Sequence, residues 1–339
     1  MGGSEPMALA LAEAEAVRAT TSPNPWVGAV VWGPEGEVSR GATSPPGGPH
    51  AEVVALEKAG EAARGATLYV TLEPCSHFGR TGPCTEAIIK AGIARVVVGV
   101  EDPDPLVAGS GIRALRDAGI AVEVGDREGE VRELLAAYLK HRRTGCPWVV
   151  LKLAVTLDGR IAAPDGSSKW ITGPEARQDA HRLRAISDAL LVGAGTVRAD
   201  DPELTVRFSQ SLPGATGEVP GAPGRQPLRV VLGKVPPGAR VAPALEMGGE
   251  LSGVLRELGG RGVLQLLVEG GASVAHRFHA EGLVDRYVIY CAPALMGGDD
   301  ARPMFSGAGA PTMADLWRGR FVSVGRLGED LRIELAAVC

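Results

Sequence analysis

Apolar and polar residues alternate in blocks along the first half of the chain, and these blocks predict helices and strands in turn. An Ala/Leu/Glu-rich block over 7–20 predicts a helix that ends at the proline-containing run 22–25. Further helices are predicted near 50–59, up to about residue 91 and near 112–118, with strands at 27–32, 68–72, 96–100 and 120–124. Because helices and strands alternate, we expect a mostly parallel sheet in a three-layer α/β/α arrangement.

A domain boundary is predicted after residue 145. A charged helix predicted over 128–143 ends at Gly145, and Pro147 begins a second alternation. Its strands are predicted at 149–155, 189–192, 228–232, 263–268 and 284–292, and its helices near 175–185 and 273–281. The Gly-, Pro- and Ala-rich run 211–226 is predicted to be a surface loop. We therefore expect two α/β domains, 1–145 and 146–339.

Composition narrows the class of protein. Of the 339 residues, 45% are hydrophobic and 22% are charged, which is typical of a folded globular chain and excludes a disordered one. The net charge of −5 and the lack of a long Lys/Arg block disfavour nucleic acid as a partner. Neither a signal peptide nor an apolar run of about eighteen residues is found, so we expect no membrane association and a cytoplasmic protein. Five cysteines, an odd number, argue against a disulfide framework.

One constellation in the first half predicts a metal site. His50, Cys75 and Cys84 supply an imidazole and two thiolates, which hold Zn²⁺ in three tetrahedral positions and leave the fourth for water. Glu52 follows two residues after the histidine and is free to move protons. The order is similar to the H-x-E and P-C-x-x-C pattern of zinc deaminases, except that eight residues separate the cysteines. A structural zinc site remains an alternative if His77 adds a fourth ligand, as does a buried histidine beside two ordinary thiols.

Around this constellation the sequence resembles a known family. The segments TSPNPWVGAV (21–30), HAE (50–52) and TLEPCSHFGRTGPC (71–84) are similar to the bifunctional deaminase-reductases of bacterial riboflavin biosynthesis, which share the long spacing between the cysteines. The resemblance implies a cytidine-deaminase-like fold, one catalytic zinc ion, and a phosphoribosylated pyrimidine held by Asn24, His77 and Arg80. On spacing alone, Asn24 is a turn residue and Arg80 a loop charge. Many relatives carry histidine where this chain has Thr43, whose hydroxyl can bond substrate but cannot carry charge near neutrality.

The second half resembles the reductase part of the same family. The segments KLAVTLDGRIA (152–162), WITG (170–173), DALLVGAGTVRADDPELT (188–205) and LVEGG (267–271) carry the similarity. It implies a fold like that of dihydrofolate reductase and NADPH as hydride donor. Residues implied in cofactor binding are Ala154, Trp170, Thr196, Asp200, Gly271, Ala272, Ser273, Val274, Ala275, His276 and Arg277. Residues assigned to the substrate are Lys152, Ser168, Arg184, Leu204, Arg207 and Glu269.

Physical reasoning supports parts of this assignment without the resemblance. Gly270 and Gly271 follow an apolar strand, and Ser273 is predicted to cap the next helix, which would place backbone amides where a phosphate binds. An ordinary strand-to-helix turn explains the same glycines. The guanidinium forks of Arg184 and Arg207 suit a ribose phosphate, with surface ion pairs as the alternative. Lys152 lies on an apolar strand and needs either a cofactor contact or a buried carboxylate partner.

The leading hypothesis is a two-step enzyme. It would remove the 2-amino group of 2,5-diamino-6-(5-phosphoribosylamino)pyrimidin-4(3H)-one and then reduce the ribosyl chain of the product with NADPH. A nucleic-acid-editing deaminase and an active reductase on a zinc-stabilised scaffold are the alternatives. The family further implies association of copies through the reductase domain. Region 231–265 is compact, and 248–253 stands where relatives often have a further strand and helix, whose loss would alter the edge of the cofactor site.

Overall fold

The computed structural model describes residues 4–77, 82–105, 107–207 and 225–338. They form two compact units, which divide between Gly145 and Cys146. Arg80 and most of the predicted loop 211–226 lie outside the described residues. None of the helices in the described ranges is long and apolar enough to cross a bilayer.

The N-terminal unit is built on a five-stranded sheet in the order β2-β1-β3-β4-β5. Strands β3, β4 and β5 are parallel, whereas β1 runs antiparallel to both β2 and β3. In chain order its elements are α1 (Glu5–Ala16), β1 (Gly28–Gly33), β2 (Gly36–Ala42), α2 (Ala51–Ala59), the 3-10 helix Gly60–Ala63, β3 (Thr67–Leu72), α3 (Cys84–Ala91), β4 (Arg95–Val100), α4 (Ser110–Asp117), β5 (Ala121–Val124), α5 (Glu128–Leu134) and α6 (Ala136–Thr144).

Two details of this unit differ from the prediction. Strand β2 was not predicted, because its residues include two glycines and mixed polar side chains instead of a β-branched run. The helix predicted over 128–143 is two helices, α5 and α6, which are interrupted at Leu135. Helix α1 packs closely on β1: a Cβ at Gly28 would lie 1.9 Å from the Ala10 carbonyl oxygen, so only glycine fits there.

The C-terminal unit contains an eight-stranded sheet in the order β10-β9-β8-β11-β6-β12-β15-β14. The strands from β10 to β12 are parallel, and β15 and β14 complete one edge in antiparallel fashion. The elements are β6 (Trp148–Thr156), β7 (Arg160–Ala162), α7 (Pro174–Ala185), β8 (Ala189–Gly193), α8 (Ala194–Asp200), β9 (Leu228–Leu232), β10 (Leu245–Met247), α9 (Leu251–Gly260), β11 (Gln265–Val268), α10 (Ala272–Ala280), β12 (Arg286–Ala292), β13 (Arg302–Pro303), β14 (Gly319–Leu327) and β15 (Asp330–Ala337).

The central strands of this sheet are buried on both faces. On β6, Val149 and Leu151 belong to one hydrophobic cluster, whereas Val150 belongs to the cluster on the other face. A strand covered on both sides needs an apolar run without alternation, which explains why β6, β8 and β11 are rich in Val and Leu.

The expectation that region 231–265 lacks a strand and a helix is wrong. Strand β10 pairs in parallel with β9, and helix α9 follows it. The helix buries Leu251, Val254, Leu255 and Leu258, the spacing of one helical face, on the same core as β6. The glycines at 248–249 precede this helix and do not replace it.

Candidate functional site

Three side chains of the N-terminal unit converge as predicted for a metal site. His50 lies directly before α2, Cys75 follows β3, and Cys84 is the first residue of α3. The Nδ1 atom of His50 is 3.2 Å from Sγ of Cys84 and 3.7 Å from Sγ of Cys75. The three ligand atoms all lie within 4.8 Å of one another.

This donor set fits zinc. Bond lengths of about 2.0 Å to nitrogen and about 2.3 Å to sulfur put tetrahedral nitrogen and sulfur ligands about 3.5 Å apart. The two distances from His50 to the sulfurs bracket that value. His77 is exposed and is not part of the group, and no fourth ligand joins it among the described residues. Three protein ligands leave one coordination position for water, which favours a catalytic over a structural site.

Glu52 has the environment of a proton carrier. It lies in the first turn of α2 and its residue exposure is only 4%. Burial raises the pKa of its carboxyl to about 7, against the opposing influence of His50. The hydrogen bond from the Cys84 thiol lowers the pKa of Cys75, and the Cys84 amide also donates to the Cys75 sulfur at 3.5 Å. Because its pKa is about 7, the Glu52 carboxyl can both accept and release a proton near neutral pH.

Sequence reasoning missed the role of Glu73. This buried carboxylate, two residues before Cys75, accepts four backbone N–H bonds, two from the segment before α4 and two from the first turn of α4. The Oε2 atom accepts from Asp102 at 3.2 Å and from Gly109 at 2.9 Å, whereas Oε1 accepts from Gly111 at 2.9 Å and from Ile112 at 3.2 Å. A glutamate directly before Pro-Cys was the available signal, since a charge beside a buried strand needs partners.

Thr43, Asn24 and Arg80 are the other residues of this unit that the sequence analysis connects with the substrate. The Thr43 hydroxyl is engaged by backbone, because it accepts from the Val27 N–H at 3.1 Å and lies within 3.4 Å of the Val27 carbonyl oxygen. Thr43 is also buried, which disfavours the substrate bond expected of its hydroxyl. Asn24 is half-buried in a turn closed by its N–H to the Thr21 carbonyl, at 2.9 Å. Arg80 lies outside the described residues.

The C-terminal unit contains a cleft of about 1020 Å³. It lies beside residues from β6, from the end of β8 and from the segment that follows β11, where the open sheets of α/β proteins bind ligands. Most of the predicted residues line it: Lys152, Ala154, Ser168, Trp170, Arg184, Thr196, Asp200, Leu204, Arg207, Glu269, Gly271, Ala272, Ser273 and Val274.

Three predicted cofactor residues do not line the cleft. Ala275 is fully buried in the hydrophobic core. Arg277 is exposed and donates to the Gly249 carbonyl oxygen at 3.2 Å. His276 lies against Gly307, where a Cβ would come within 2.0 Å of its ring. These residues follow the first turn of α10, so their side chains diverge around the helix.

The start of α10 has its predicted position but not its predicted cap. Gly271 is the N-cap and the helix begins at Ala272, so Ser273 lies inside the helix and forms no capping bond. The Gly271 N–H donates to Oγ1 of Thr196 at 3.1 Å, which joins two predicted cofactor residues. A Cβ at Gly270 would come within 2.6 Å of Val274, so a glycine is needed for the turn.

The predicted phosphate-binding arginines both have carboxylate partners. Arg184 forms a two-point ion pair with Glu269, with Nε to Oε1 at 2.6 Å and Nη2 to Oε2 at 2.8 Å. The exposed Arg207 pairs with Glu203 at 3.1 Å. Lys152 is half-buried, with Nζ 5.7 Å from the ring centroid of Tyr290, and burial lowers its pKa. The Arg184 fork expected for phosphate is thus occupied by Glu269.

Comparisons with known proteins agree across nearly the whole chain. Residues 4–100 match the family described as cytidine and deoxycytidylate deaminase zinc-binding region, and residues 147–333 match the RibD C-terminal domain. Riboflavin biosynthesis protein RibD of Aquifex aeolicus is 42% identical, over 96% of each chain. The structure of Acinetobacter baumannii RibD, form 1, superposes with a TM-score of 0.89 at 39% identity, over 98% of each chain. A Thermotoga maritima diaminohydroxyphosphoribosylaminopyrimidine deaminase/5-amino-6-(5-phosphoribosylamino)uracil reductase gives a TM-score of 0.86 at 34% identity, again over 98% of each.

Proposed function

The chain belongs to the family of bifunctional deaminase-reductases of riboflavin biosynthesis, and from this premise we propose how its residues divide the two reactions. We assign the zinc-dependent deamination to residues 1–145 and the NADPH-dependent reduction to residues 146–339. The observation that carries the proposal is the His50, Cys75 and Cys84 group with a buried carboxyl at Glu52, in one unit, while the other unit holds a cleft lined by the residues assigned to NADPH and substrate.

In the deamination, Glu52 is the catalytic residue. A zinc ion held by His50, Cys75 and Cys84 would lower the pKa of a water molecule to about 7. Glu52 would accept a proton from the attacking water and donate it to the 2-amino group of the diaminopyrimidine, so that the C–N bond breaks, ammonia leaves and a carbonyl forms. The raised pKa of about 7 suits a carboxyl that must both accept and donate. Asn24, His77 and Arg80 are the residues we assign to substrate binding.

In the reduction, the protein holds two ligands and shields them from water. NADPH, when bound, supplies the hydride that reduces the ribosyl carbon, and the product is a ribityl phosphate. The first-turn amides of α10, with Gly271 fixed by Thr196, form a site for a cofactor phosphate. The Arg184 and Glu269 pair presents a rigid polar wall, and Lys152 supplies a cation that lacks an ion-pair partner among the described residues. No strong nucleophile is needed for such chemistry.

The association of copies and the cellular location are proposed on narrower grounds. Strand β14 forms one edge of the eight-stranded sheet, and Phe321 and Val324 on it are 68% and 57% exposed. An exposed apolar edge strand is a ready surface for pairing with a second copy, so we propose a homo-oligomer formed through the reductase unit. Light scattering on Phe321→Lys, Val324→Lys double-variant protein tests this, because a smaller species is expected. Cys291 forms no disulfide among the described residues, which agrees with a reducing cytoplasm.

One experiment separates the assigned reactions. Purified protein is given the diaminopyrimidine phosphate with and without NADPH, while ammonia release and cofactor absorbance are followed independently. Ammonia alone is expected without NADPH, and ammonia with cofactor oxidation in its presence. Glu52→Ala should abolish ammonia release yet still oxidise NADPH when it is supplied with the deaminated intermediate. Ammonia release that persists in the Glu52→Ala protein would instead support a purely structural role for the zinc group. Tight binding of single-stranded DNA or tRNA would instead support a nucleic-acid substrate.

A further inference from the structure

One face of helix α7 lines the reductase cleft. Arg177, His181 and Arg184 follow one another at intervals of four and three residues, and all three belong to the cleft lining. Side chains at this spacing share a face of a helix. His181 is half-buried on this face, and the positive charges of Arg184 and Arg207 act on its ring.

A backbone contact fixes the proton position of the His181 ring. The Nδ1 atom accepts a hydrogen bond from the Arg207 N–H at 3.2 Å. A ring nitrogen that accepts a bond carries no proton, so the neutral ring bears its hydrogen on Nε2. Burial, together with the positive charges of Arg184 and Arg207, lowers the pKa of His181 to about 4, so the ring is neutral near pH 7. The Nε2–H donor has no hydrogen-bond partner among the described residues.

The neighbouring side chains of Arg184 and Arg207 both have carboxylate partners, unlike the His181 donor. Glu269 accepts from Nε and Nη2 of Arg184, and Glu203 lies 3.1 Å from the Arg207 guanidinium. Opposite charges of the cleft are thereby largely paired. The paired carboxylates reduce the net positive charge that Arg184 and Arg207 offer to a phosphate. The N–H donor of His181 remains available to it. Lys152 adds a further positive charge to the same field.

We propose that His181 is a specificity-determining residue of the reductase, whose Nε2–H donates a hydrogen bond to the substrate phosphate. This inference rests on the proposed reductase function of the C-terminal unit. It adds a neutral, directional donor to a cleft whose two arginines, Arg184 and Arg207, are already paired with carboxylates. A bond to a charged acceptor contributes enough to alter binding by roughly 10- to 100-fold.

Isosteric substitutions separate the two ring nitrogens. Glutamine places its amide N–H near the position of Nε2, whereas asparagine places its oxygen near that of Nδ1. We expect His181→Phe and His181→Asn to raise the reductase KM for 5-amino-6-(5-phosphoribosylamino)uracil by roughly 10- to 100-fold, with little change in kcat. His181→Gln should stay within about threefold of the parent protein. The KM for the dephosphorylated riboside should not respond to any of the three substitutions.

Controls separate this proposal from misfolding and from failure of the assigned function. His279→Gln changes a histidine that bonds Tyr287 and does not line the cleft, and should leave the reductase constants unchanged. NADPH affinity, measured by fluorescence titration, should be the same in every His181 variant. Equal loss with phosphorylated and dephosphorylated substrates would overturn the proposal, as would rescue by Asn instead of Gln, which would make the Arg207 amide the partner that matters. Loss of NADPH oxidation in the parent protein would instead refute the reductase function itself.

Discussion

Glu73→Gln is expected to destabilise the N-terminal unit and to loosen its zinc site. The substitution keeps the shape of the side chain but replaces one accepting oxygen by an N–H₂ donor. In the native protein each carboxylate oxygen accepts two backbone N–H groups, those of Asp102 and Gly109 on one and those of Gly111 and Ile112 on the other. The amide would therefore satisfy two of these donors and face the other two with a donor of its own.

The magnitude follows from those two donors. A buried N–H group that loses its partner costs about 1–3 kcal/mol, so the free energy of unfolding should fall by about 2–6 kcal/mol. This is a large part of the roughly 5–15 kcal/mol that stabilises a typical domain. The effect should reach zinc, because Glu73 precedes Cys75 by two residues and Ser76 bonds Ser110 at 2.7 Å, which ties the cysteine loop to the same helix start.

The assay combines denaturant unfolding with zinc retention. Unfolding is followed in urea, hydrogen exchange reports the Gly111 and Ile112 amides, and competition with a chelator reports zinc affinity. Glu52→Gln is the matched control, since it removes a second buried carboxylate of the same unit that burial alone already penalises. Glu52→Gln should slow deamination strongly without lowering the free energy of unfolding. A Glu73→Gln protein that unfolds at the parent urea concentration would contradict this role of Glu73, as would a Glu52→Gln protein that is equally destabilised.

Three further outcomes are expected. Glu52→Gln should lower the deaminase kcat by about 10²- to 10⁴-fold, the usual contribution of general acid-base catalysis, while zinc content measured by elemental analysis stays stoichiometric. Thr43→His should not raise the rate of ammonia release, because the Thr43 side chain is buried and bonded to the Val27 backbone; a several-fold gain in turnover would show instead that this position limits the enzyme. Burial opposes ionisation of Glu269, but the Arg184 guanidinium outweighs it and holds the pKa of Glu269 at about 2, below its ordinary value of 4.5. The pair therefore contributes stability fully above pH 4.5, and this contribution is lost as the pH falls toward 2, so Glu269→Gln should reduce the urea midpoint more at pH 6 than at pH 3.

The sequence was sufficient for features that depend on local pattern. Strand β6 and helix α2 follow from apolar runs and turn residues, and the zinc ligands follow from residue type and order, because few other chemistries need an imidazole and two thiolates beside a carboxylate. The pairing of Arg184 with Glu269 could not be predicted, since the two residues lie on different elements and nothing local indicates that their charges meet. For the same reason Arg184 and Glu269 were both predicted to contact substrate, and their contact with each other was not predicted.

Errors arose where spacing was ambiguous. Helix α9 was not predicted, because the glycines at 248–249 suggested a loop. Its apolar residues Leu251, Val254, Leu255 and Leu258 have the spacing of one helical face. Ser273 is a residue type that often caps helices, but Gly271 occupies the N-cap position of α10. His181 gave no signal at all, because a histidine on a charged helix is ordinary until the fold brings the Arg207 amide to its ring.

The strand order of the C-terminal sheet has a consequence for synthesis on the ribosome. The N-terminal sheet gains its last strand at Val124, so that unit can fold while the remainder is still being translated. Strand β6, by contrast, ends at Thr156, and its two sheet neighbours, β11 and β12, begin only at Gln265 and Arg286. At the usual translation speed this apolar strand waits on the order of ten seconds for a partner. The nascent chain thus displays a finished deaminase followed by an unpaired hydrophobic segment, which is the kind of segment that chaperones bind.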